Sequence, residues 1–275
     1  MTTHEPDPTL SSSADLLGRI GTQLGARLRQ VRPGTRGPAL IAVGHGSRDP
    51  RATATLRLLL DRVRELRPGL DARLAHIELN PPLLPDALAA QPEGGAVLVP
   101  LLFARGHHVK HDLPAAAAAA PGRPTRTAAP LGPHPLLVEA LADRLAEAGW
   151  TAGEGTAVVL AAAGSRDPQS GADTRRLAAL LGERLGGVPV VPAYASAATP
   201  TVPEALRALA ARGHHRVAVA SCFTAPGLFA TRSAAHAPWI ASAPLGAHPA
   251  LARLVLHRYD QALAHTGPTR ELASA

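Results

Sequence analysis

The chain has little of what builds disulfide-linked, aromatic-rich or membrane-spanning proteins. Its 275 residues include one cysteine, Cys222, so neither an intrachain disulfide nor a cysteine-ligated zinc site can form, and Cys222 is expected to be a small core residue. Aromatic residues make up only 3% of the chain. The longest strongly apolar run, residues 96–104, is far shorter than the roughly 20 residues that cross a bilayer. We therefore expect a reducing cytoplasmic location, with no membrane partner and no signal peptide.

Several sequence motifs are also missing. The chain has no Gly-x-Ser-x-Gly elbow, no phosphate loop ending in Gly-Lys-Ser/Thr and no Gly-x-Gly-x-x-Gly. These absences argue against a hydrolase-like or nucleotide-binding protein. The formal charge of +7 suits a polyanionic partner, but the basic residues are scattered and aromatic residues to stack bases are few. A nucleic-acid partner is therefore not expected.

Strand-like and helix-like segments alternate from residue 38 onward, which predicts parallel sheet covered by helices on both faces. Residues 1–36 are expected to form a disordered or partly helical tail. In the first half, the predicted strands are 39–43, 73–78, 96–102 and a segment near 127–131, and the predicted helices are 51–66, 82–90, 113–120 and 135–148.

The pattern then repeats. Ala-Gly-Ser-Arg-Asp-Pro at 163–168 echoes His-Gly-Ser-Arg-Asp-Pro at 45–50 with a shift of 118 residues, and residues 129–135 reappear at 243–249 with a shift of 114. Further strands are predicted at 157–162, 188–193, 216–221 and 239–243. The fold class is therefore α/β, with two tandem four-stranded parallel-sheet domains facing across a ligand-binding cleft. Their expected bounds are 37–151 and 152–267, followed by a tail at 268–275.

Three polar residues stand at predicted strand ends in the first half. His45 follows the first strand, Glu78 closes the second and His108 follows the third. Such ends meet at one edge of a parallel sheet, and two imidazoles with one carboxylate suit a first-row divalent metal. Alternatively, the histidines are surface residues and Glu78 caps a helix. The repeat favours a shared site, because Ala163, Ser196 and Phe229 replace all three residues together.

Three motifs resemble the sirohydrochlorin chelatase family, the class II tetrapyrrole chelatases, in its long form with two fused halves. They are Gly-His-Gly-Ser-Arg-Asp-Pro at 44–50, Glu78 followed by Pro81-Pro82, and Gly-His-His-Val-Lys-His-Asp-Leu-Pro at 106–114. The resemblance implies a lyase that inserts Fe(II) or Co(II) into sirohydrochlorin for siroheme or cobalamin synthesis. It places the metal-binding histidines at His45 and His108 and the acidic residue at Glu78. It implies no ATP and no cofactor beyond the substrate metal, for which Ni(II) is a third candidate.

The chemistry of these residues agrees with that expectation. Neutral imidazole binds a metal or accepts a proton, so activity is expected to rise between roughly pH 6 and 8. His45 and His108 are the expected ligands and proton acceptors, assisted by Glu78.

Basic residues flank the motifs. Arg51, Arg105 and Lys110 are candidates to pair with the carboxylates of the tetrapyrrole, whereas Arg48 is expected in a structural ion pair at a helix start. A non-catalytic metal or tetrapyrrole carrier on the same scaffold is the alternative function. The sequence does not choose between iron and cobalt, or between a monomer and a homodimer.

Overall fold

The computed structural model describes residues 37–90, 94–120 and 124–264. The tails predicted at 1–36 and 268–275 lie outside the described residues. Within them, the chain forms two four-stranded sheets in which every paired strand is parallel. The predicted α/β class with two tandem sheets is confirmed.

The first half contains one sheet with strand order β2-β1-β3-β4. Its elements are β1 (Ala39–Gly44), α1 (Pro50–Leu66), β2 (Ala72–His76), α2 (Leu84–Ala89), β3 (Ala96–Pro100), a π-helical turn (His108–Asp112), α3 (Leu113–Ala119), β4 (Thr125–Thr127) and α4 (Pro135–Glu147).

The second half has the same strand order, β6-β5-β7-β8, as expected of a duplication. Its elements are β5 (Thr156–Ala162), α5 (Pro168–Arg184), β6 (Val190–Tyr194), α6 (Val202–Ala210), β7 (Arg216–Ser221), α7 (Leu228–Ala235), β8 (Ile240–Ala241) and α8 (Pro249–Ala264).

The repeated Ser-Arg-Asp-Pro sequence starts a helix in each half. The Asp49 side chain accepts a hydrogen bond from the Arg51 backbone N–H at 3.0 Å and caps α1. Asp167 caps α5 in the same way through Gln169 at 2.9 Å. A carboxylate at the N-cap followed by proline is a favoured helix start. The repeated Ser-Arg-Asp-Pro sequence therefore has a structural role in both halves.

Several predicted boundaries are wrong. The strand predicted at 96–102 ends at Pro100, the one predicted at 188–193 covers Val190–Tyr194, and the one predicted at 239–243 covers only Ile240–Ala241.

Three further differences have a local cause. β2 ends at His76 and not at Glu78, because the chain turns at Leu79 with a φ of 67°. α2 begins at Leu84 and not at residue 82, since the Pro82 carbonyl accepts a hydrogen bond from the His76 N–H at 3.0 Å and is held at β2. β4 covers Thr125–Thr127 and does not extend to 131, because Pro130 has no N–H to continue the ladder.

One continuous core joins the halves. Helices α1, α4, α5 and α8 all contribute to it, with Leu59, Leu141, Leu181 and Leu254 among its buried side chains. Cys222 is buried in this core as expected, and burial raises the pKa of its thiol to about 12. Across residues 37–90, 94–120 and 124–264, no helix is long and apolar enough to span a membrane.

Candidate metal centre

The three predicted ligands lie together at the carboxyl edge of the first sheet. His45 directly follows β1, Glu78 lies two residues beyond β2, and His108 opens the π-helical turn after β3. His45 Nδ1 is 3.4 Å from Glu78 Oε1. The rings of His45 and His108 are edge to face, with centroids 4.7 Å apart. The structure therefore brings together a carboxylate and two imidazoles that are widely separated in sequence.

Gly46 allows the Glu78 backbone to approach His45. Its φ is 112°, and a Cβ at this position would lie 2.0 Å from the Glu78 carbonyl oxygen. The Glu78 N–H donates to the His45 carbonyl at 3.0 Å. A side chain at residue 46 would separate the two loops, so glycine is required here for steric reasons.

Asp112 orients His108, a contact that the sequence reasoning missed. Asp112 Oδ2 lies 2.5 Å from His108 Nδ1 across the π-helical turn. A carboxylate accepting from Nδ1–H leaves the Nε2 lone pair available for a metal. The four-residue spacing between His108 and Asp112 was the available signal, because side chains at that spacing are neighbours on a helix.

Electrostatics favour a neutral His45. Burial lowers the pKa of its imidazole below 6.5, and positive charge on His108 lowers this pKa further, against the opposing effect of Glu78. The side chains of His45 and Glu78 are 48% and 53% exposed, respectively. The site is therefore open to an incoming ion and holds His45 in the form that binds one.

The three side chains adjoin one another without forming a closed coordination sphere. Among the described residues, no group of three or more His, Cys, Asp and Glu side chains is arranged to hold a metal ion. Structural metal sites are closed by protein ligands, whereas sites that exchange or react keep open positions. An ion bound by these side chains would therefore keep open coordination positions.

The three basic residues predicted to bind carboxylates all form ion pairs within the protein. Arg51 pairs with Asp49 at 2.7 Å, Arg105 with Asp173 at 2.6 Å, and Lys110 with Asp167 at 2.5 Å. The role of Arg51, Arg105 and Lys110 toward a tetrapyrrole stays a prediction. The expectation that Arg48 forms the ion pair at the helix start is wrong, because Arg51 reaches back to Asp49 instead.

The second half keeps the loops but lacks counterparts of the two histidines and the glutamate. A Cβ at Gly164 would lie 2.0 Å from the Ser196 carbonyl oxygen, the same close approach as at Gly46. Ala163 and Ser196 take the places of His45 and Glu78, and the Ser196 hydroxyl donates to the Ala163 carbonyl at 3.0 Å. Phe229, in the place of His108, lies on α7.

The loops of the two halves meet reciprocally. A Cβ at Gly106 would lie 3.4 Å from Ser165 Oγ, and one at Gly227 would lie 3.4 Å from Ser47 Oγ. The ligand-bearing loops of the first half therefore face the degenerate loops of the second.

Two parallel α/β units whose loops meet, with two imidazoles and a carboxylate at the sheet edge of only one, have the architecture of a chelatase-type protein. The CbiX family model matches the chain twice, over residues 39–148 and 157–262. The chain belongs to the CbiX family, and each match coincides with one half of the fold.

Characterised relatives share most of this length. A sirohydrochlorin ferrochelatase of Priestia megaterium is 25% identical over 244 residues, which cover 83% of this chain and 92% of the relative. A sirohydrochlorin cobaltochelatase of the same organism is 25% identical over 210 residues, covering 70% of this chain and 66% of the relative. The structure of SirB from Bacillus subtilis with Fe3+ superimposes with a TM-score of 0.68 at 25% identity, covering 84% of this chain and 97% of SirB.

Proposed function

We propose that this protein is a sirohydrochlorin chelatase, a lyase that inserts Fe(II) or Co(II) into sirohydrochlorin for siroheme or cobalamin synthesis. The observation that carries the proposal is the convergence of His45, Glu78 and His108 in one half of a CbiX-family fold. The relatives include both ferrochelatases and cobaltochelatases, so the proposal includes both metals. The ligand atoms agree with this breadth, because imidazole and carboxylate accept several first-row divalent ions.

Metal insertion requires the ion to lose water, lie against the macrocycle and replace two pyrrole N–H protons. His45 and His108 replace part of the hydration shell of the ion. His108 binds through Nε2, since Asp112 occupies the Nδ1 side of the ring. The macrocycle nitrogens then take over the open coordination positions, and the two imidazoles release the ion.

Proton removal falls to the groups beside the ligands. The Glu78 carboxylate, 3.4 Å from His45 Nδ1, takes one of the two pyrrole protons, and His45 takes the other once its imidazole has released the ion. Both groups are half exposed, so protons pass onward to solvent. The metal is a substrate, and the proposal includes no ATP or resident cofactor. The proposed setting is a reducing cytoplasm, with a small tetrapyrrole and a divalent ion as partners.

The test is a metallation assay. Purified protein is mixed without oxygen with metal-free sirohydrochlorin and Fe(II), Co(II) or Ni(II), and the absorbance change is followed. We expect Fe(II) or Co(II) insertion at least about a hundredfold faster than the spontaneous reaction, a typical effect of positioned proton acceptors. Ser196→Ala, which alters the corresponding position of the degenerate half, serves as the control and should stay within about twofold. A protein that binds both substrates without accelerating insertion is a carrier and contradicts the proposal.

The pH dependence of His45 follows from the direction of its pKa shift. Because the folded-state pKa lies below 6.5, protonation that blocks metal binding is expected only below pH 6.5. The contribution of His45 to the acidic limb of kcat/KM is therefore expected at lower pH than that of an unperturbed imidazole. An NMR titration of the His45 ring, run beside the rate profile, measures this. A His45 midpoint at or above pH 6.5 would contradict the electrostatic account.

A further inference from the structure

A second feature lies beside the segment that carries His108. It is a cavity of about 450 Å³ between the halves. Its first wall is the loop after β4 together with Arg105, and its second wall comes from α5 and α8. Its charged lining residues are Arg105, Asp173, Arg176 and Arg258. We call it the arginine cavity.

The arginine cavity carries an excess of positive charge. Among the described residues that line the cavity, the one carboxylate, Asp173, accepts three hydrogen bonds from Arg105. Arg105 donates from its backbone N–H at 3.0 Å and from its guanidinium at 2.9 and 2.6 Å. Arg176 is exposed on α5 and has no ion pair within the described residues. Arg258 donates only to neutral acceptors, the Leu131 carbonyl at 3.2 Å and Gln261 Oε1 at 2.8 Å.

Within residues 37–90, 94–120 and 124–264, Arg258 is a half-buried cation without a carboxylate partner. Its Nε is buried and has no hydrogen-bond partner among these residues. Burial lowers the pKa of the guanidinium. Taking a cation out of water without an anion beside it is unfavourable, so an anionic ligand in the cavity would be stabilised.

The duplication supplies an internal comparison. Under the shift of 114 residues, Arg258 corresponds to Arg144, which contacts the Leu245 carbonyl as Arg258 contacts Leu131. Arg144, however, also pairs with Glu147 at 2.5 Å, whereas the residue corresponding to Glu147 is the neutral Gln261. One copy of this arginine is therefore neutralised inside the protein and the other is not.

The rest of the cavity is asymmetric as well. The places of Arg105, Asp173 and Arg176 are taken in the other copy by Pro226, Thr55 and Leu58. In that copy, the side chains of Arg144 and Thr55 pack against the loop at Gly246. Arg144 Nη2 and Thr55 Cγ2 lie 3.5 and 3.6 Å from the position that a Cβ on Gly246 would take. The basic cavity is thus found on the side of the ligand-bearing half, next to the loop of His108.

We propose that the arginine cavity binds a carboxylate side arm of the tetrapyrrole through Arg176 and Arg258, an inference that rests on the proposed function. Arginine binds carboxylate with paired, charge-assisted hydrogen bonds. Arg105, in the cavity wall, is three residues from His108, so a side arm held here fixes the macrocycle beside His45 and His108. Arg105 is a positioning residue in this scheme, because its guanidinium is held by Asp173.

Arg176→Gln tests this directly, because Arg176 is exposed and its loss leaves the core intact. Metal-free sirohydrochlorin is titrated into the full chain at low salt and binding is followed by absorbance. We expect affinity to fall roughly tenfold, as for the loss of one charge-assisted contact. KM for the tetrapyrrole should rise with kcat within about twofold, and Co(II) affinity should not change. Arg176→Lys should recover part of the loss.

Arg175→Gln is the matched control, since this neighbour on α5 does not line the cavity and should bind as the unmodified protein does. Arg258→Gln is the second variant, with its melting temperature measured because Arg258 also contacts Leu131. Titration of the unmodified protein and the variants with citrate and inorganic phosphate shows whether the arginine cavity binds a small free anion instead of a tetrapyrrole side arm. The proposal is overturned if Arg176→Gln loses citrate binding while its affinity for the tetrapyrrole is unchanged. It is also overturned if KM for the tetrapyrrole is unchanged in both Arg176→Gln and Arg258→Gln. If the unmodified protein does not metallate sirohydrochlorin, the proposed function itself fails.

Discussion

Replacing His45 with alanine is expected to lower the rate of metal insertion by roughly 10²–10⁴-fold, the range for loss of a positioned proton acceptor. The loss of a proposed metal ligand is expected to lower this rate as well. His45 is half exposed on a loop, so its removal leaves the buried strand β1 in place. His108→Ala should have an effect of the same size, because in the proposed site both rings of the edge-to-face pair bind the same ion.

His107→Ala is the matched control for both variants. His107 directly precedes His108, but its side chain is 73% exposed and its nearest acidic contact, Asp112 Oδ1, is 3.7 Å away. Its rate should stay within about threefold of the unmodified protein. A Co(II) titration should show one tight site per chain that disappears in His45→Ala. Wild-type turnover in His45→Ala or His108→Ala, or two equal tight Co(II) sites, would remove the site assignment.

The sequence was sufficient to predict that His45, Glu78 and His108 lie together, because each of them belongs to a local motif that follows a strand. An apolar strand followed by glycine, histidine and glycine places His45 at a strand end, and the repeat, which has Ala163 instead, distinguishes His45 from the residues that both halves share. The requirement for Gly46 follows from the same pattern, although its reason, the approach of the Glu78 carbonyl, appears only in three dimensions.

The long-range ion pairs could not be predicted from the sequence. Arg105 and Asp173 are 68 residues apart, and nothing local to either residue indicates the other. The same holds for Lys110, whose partner Asp167 is at once the cap of α5. In a sequence, any arginine or lysine is a candidate to bind an anion until its partner within the protein is known. Arg105 is paired with Asp173, whereas Arg176 has no ion pair among the described residues, so Arg176 is the better candidate.

These ion pairs also give the second half a role at the site of the first. Asp167 and Asp173 lie on or next to the first turns of α5, and they hold Lys110 and Arg105 on either side of His108. The second half, which lacks counterparts of His45, Glu78 and His108, therefore positions the segment that carries His108.

Deleting the second half, by ending the chain after Gly153, is expected to abolish the soluble monomer. Helix α8 supplies Leu251, Leu254 and Val255 to the shared core, and all three are fully buried. Each buried leucine contributes about 2–5 kcal/mol, while a whole domain is stable by only about 5–15 kcal/mol. The truncated chain would also expose the apolar faces of α1 and α4, and exposed patches of this kind lead to self-association.

Size-exclusion chromatography with light scattering measures the outcome, and we expect aggregates or a dimer in which a second copy replaces the missing half. Asp260→Asn in the full chain is the control, because it breaks the exposed pair with Arg67 and leaves the core unchanged. Its effect on the free energy of unfolding should be about 1 kcal/mol or less. A truncated chain that remains a folded monomer with full metallation activity would show that the first half is independent, since neither the shared core nor the contacts of Asp167 and Asp173 would then be needed.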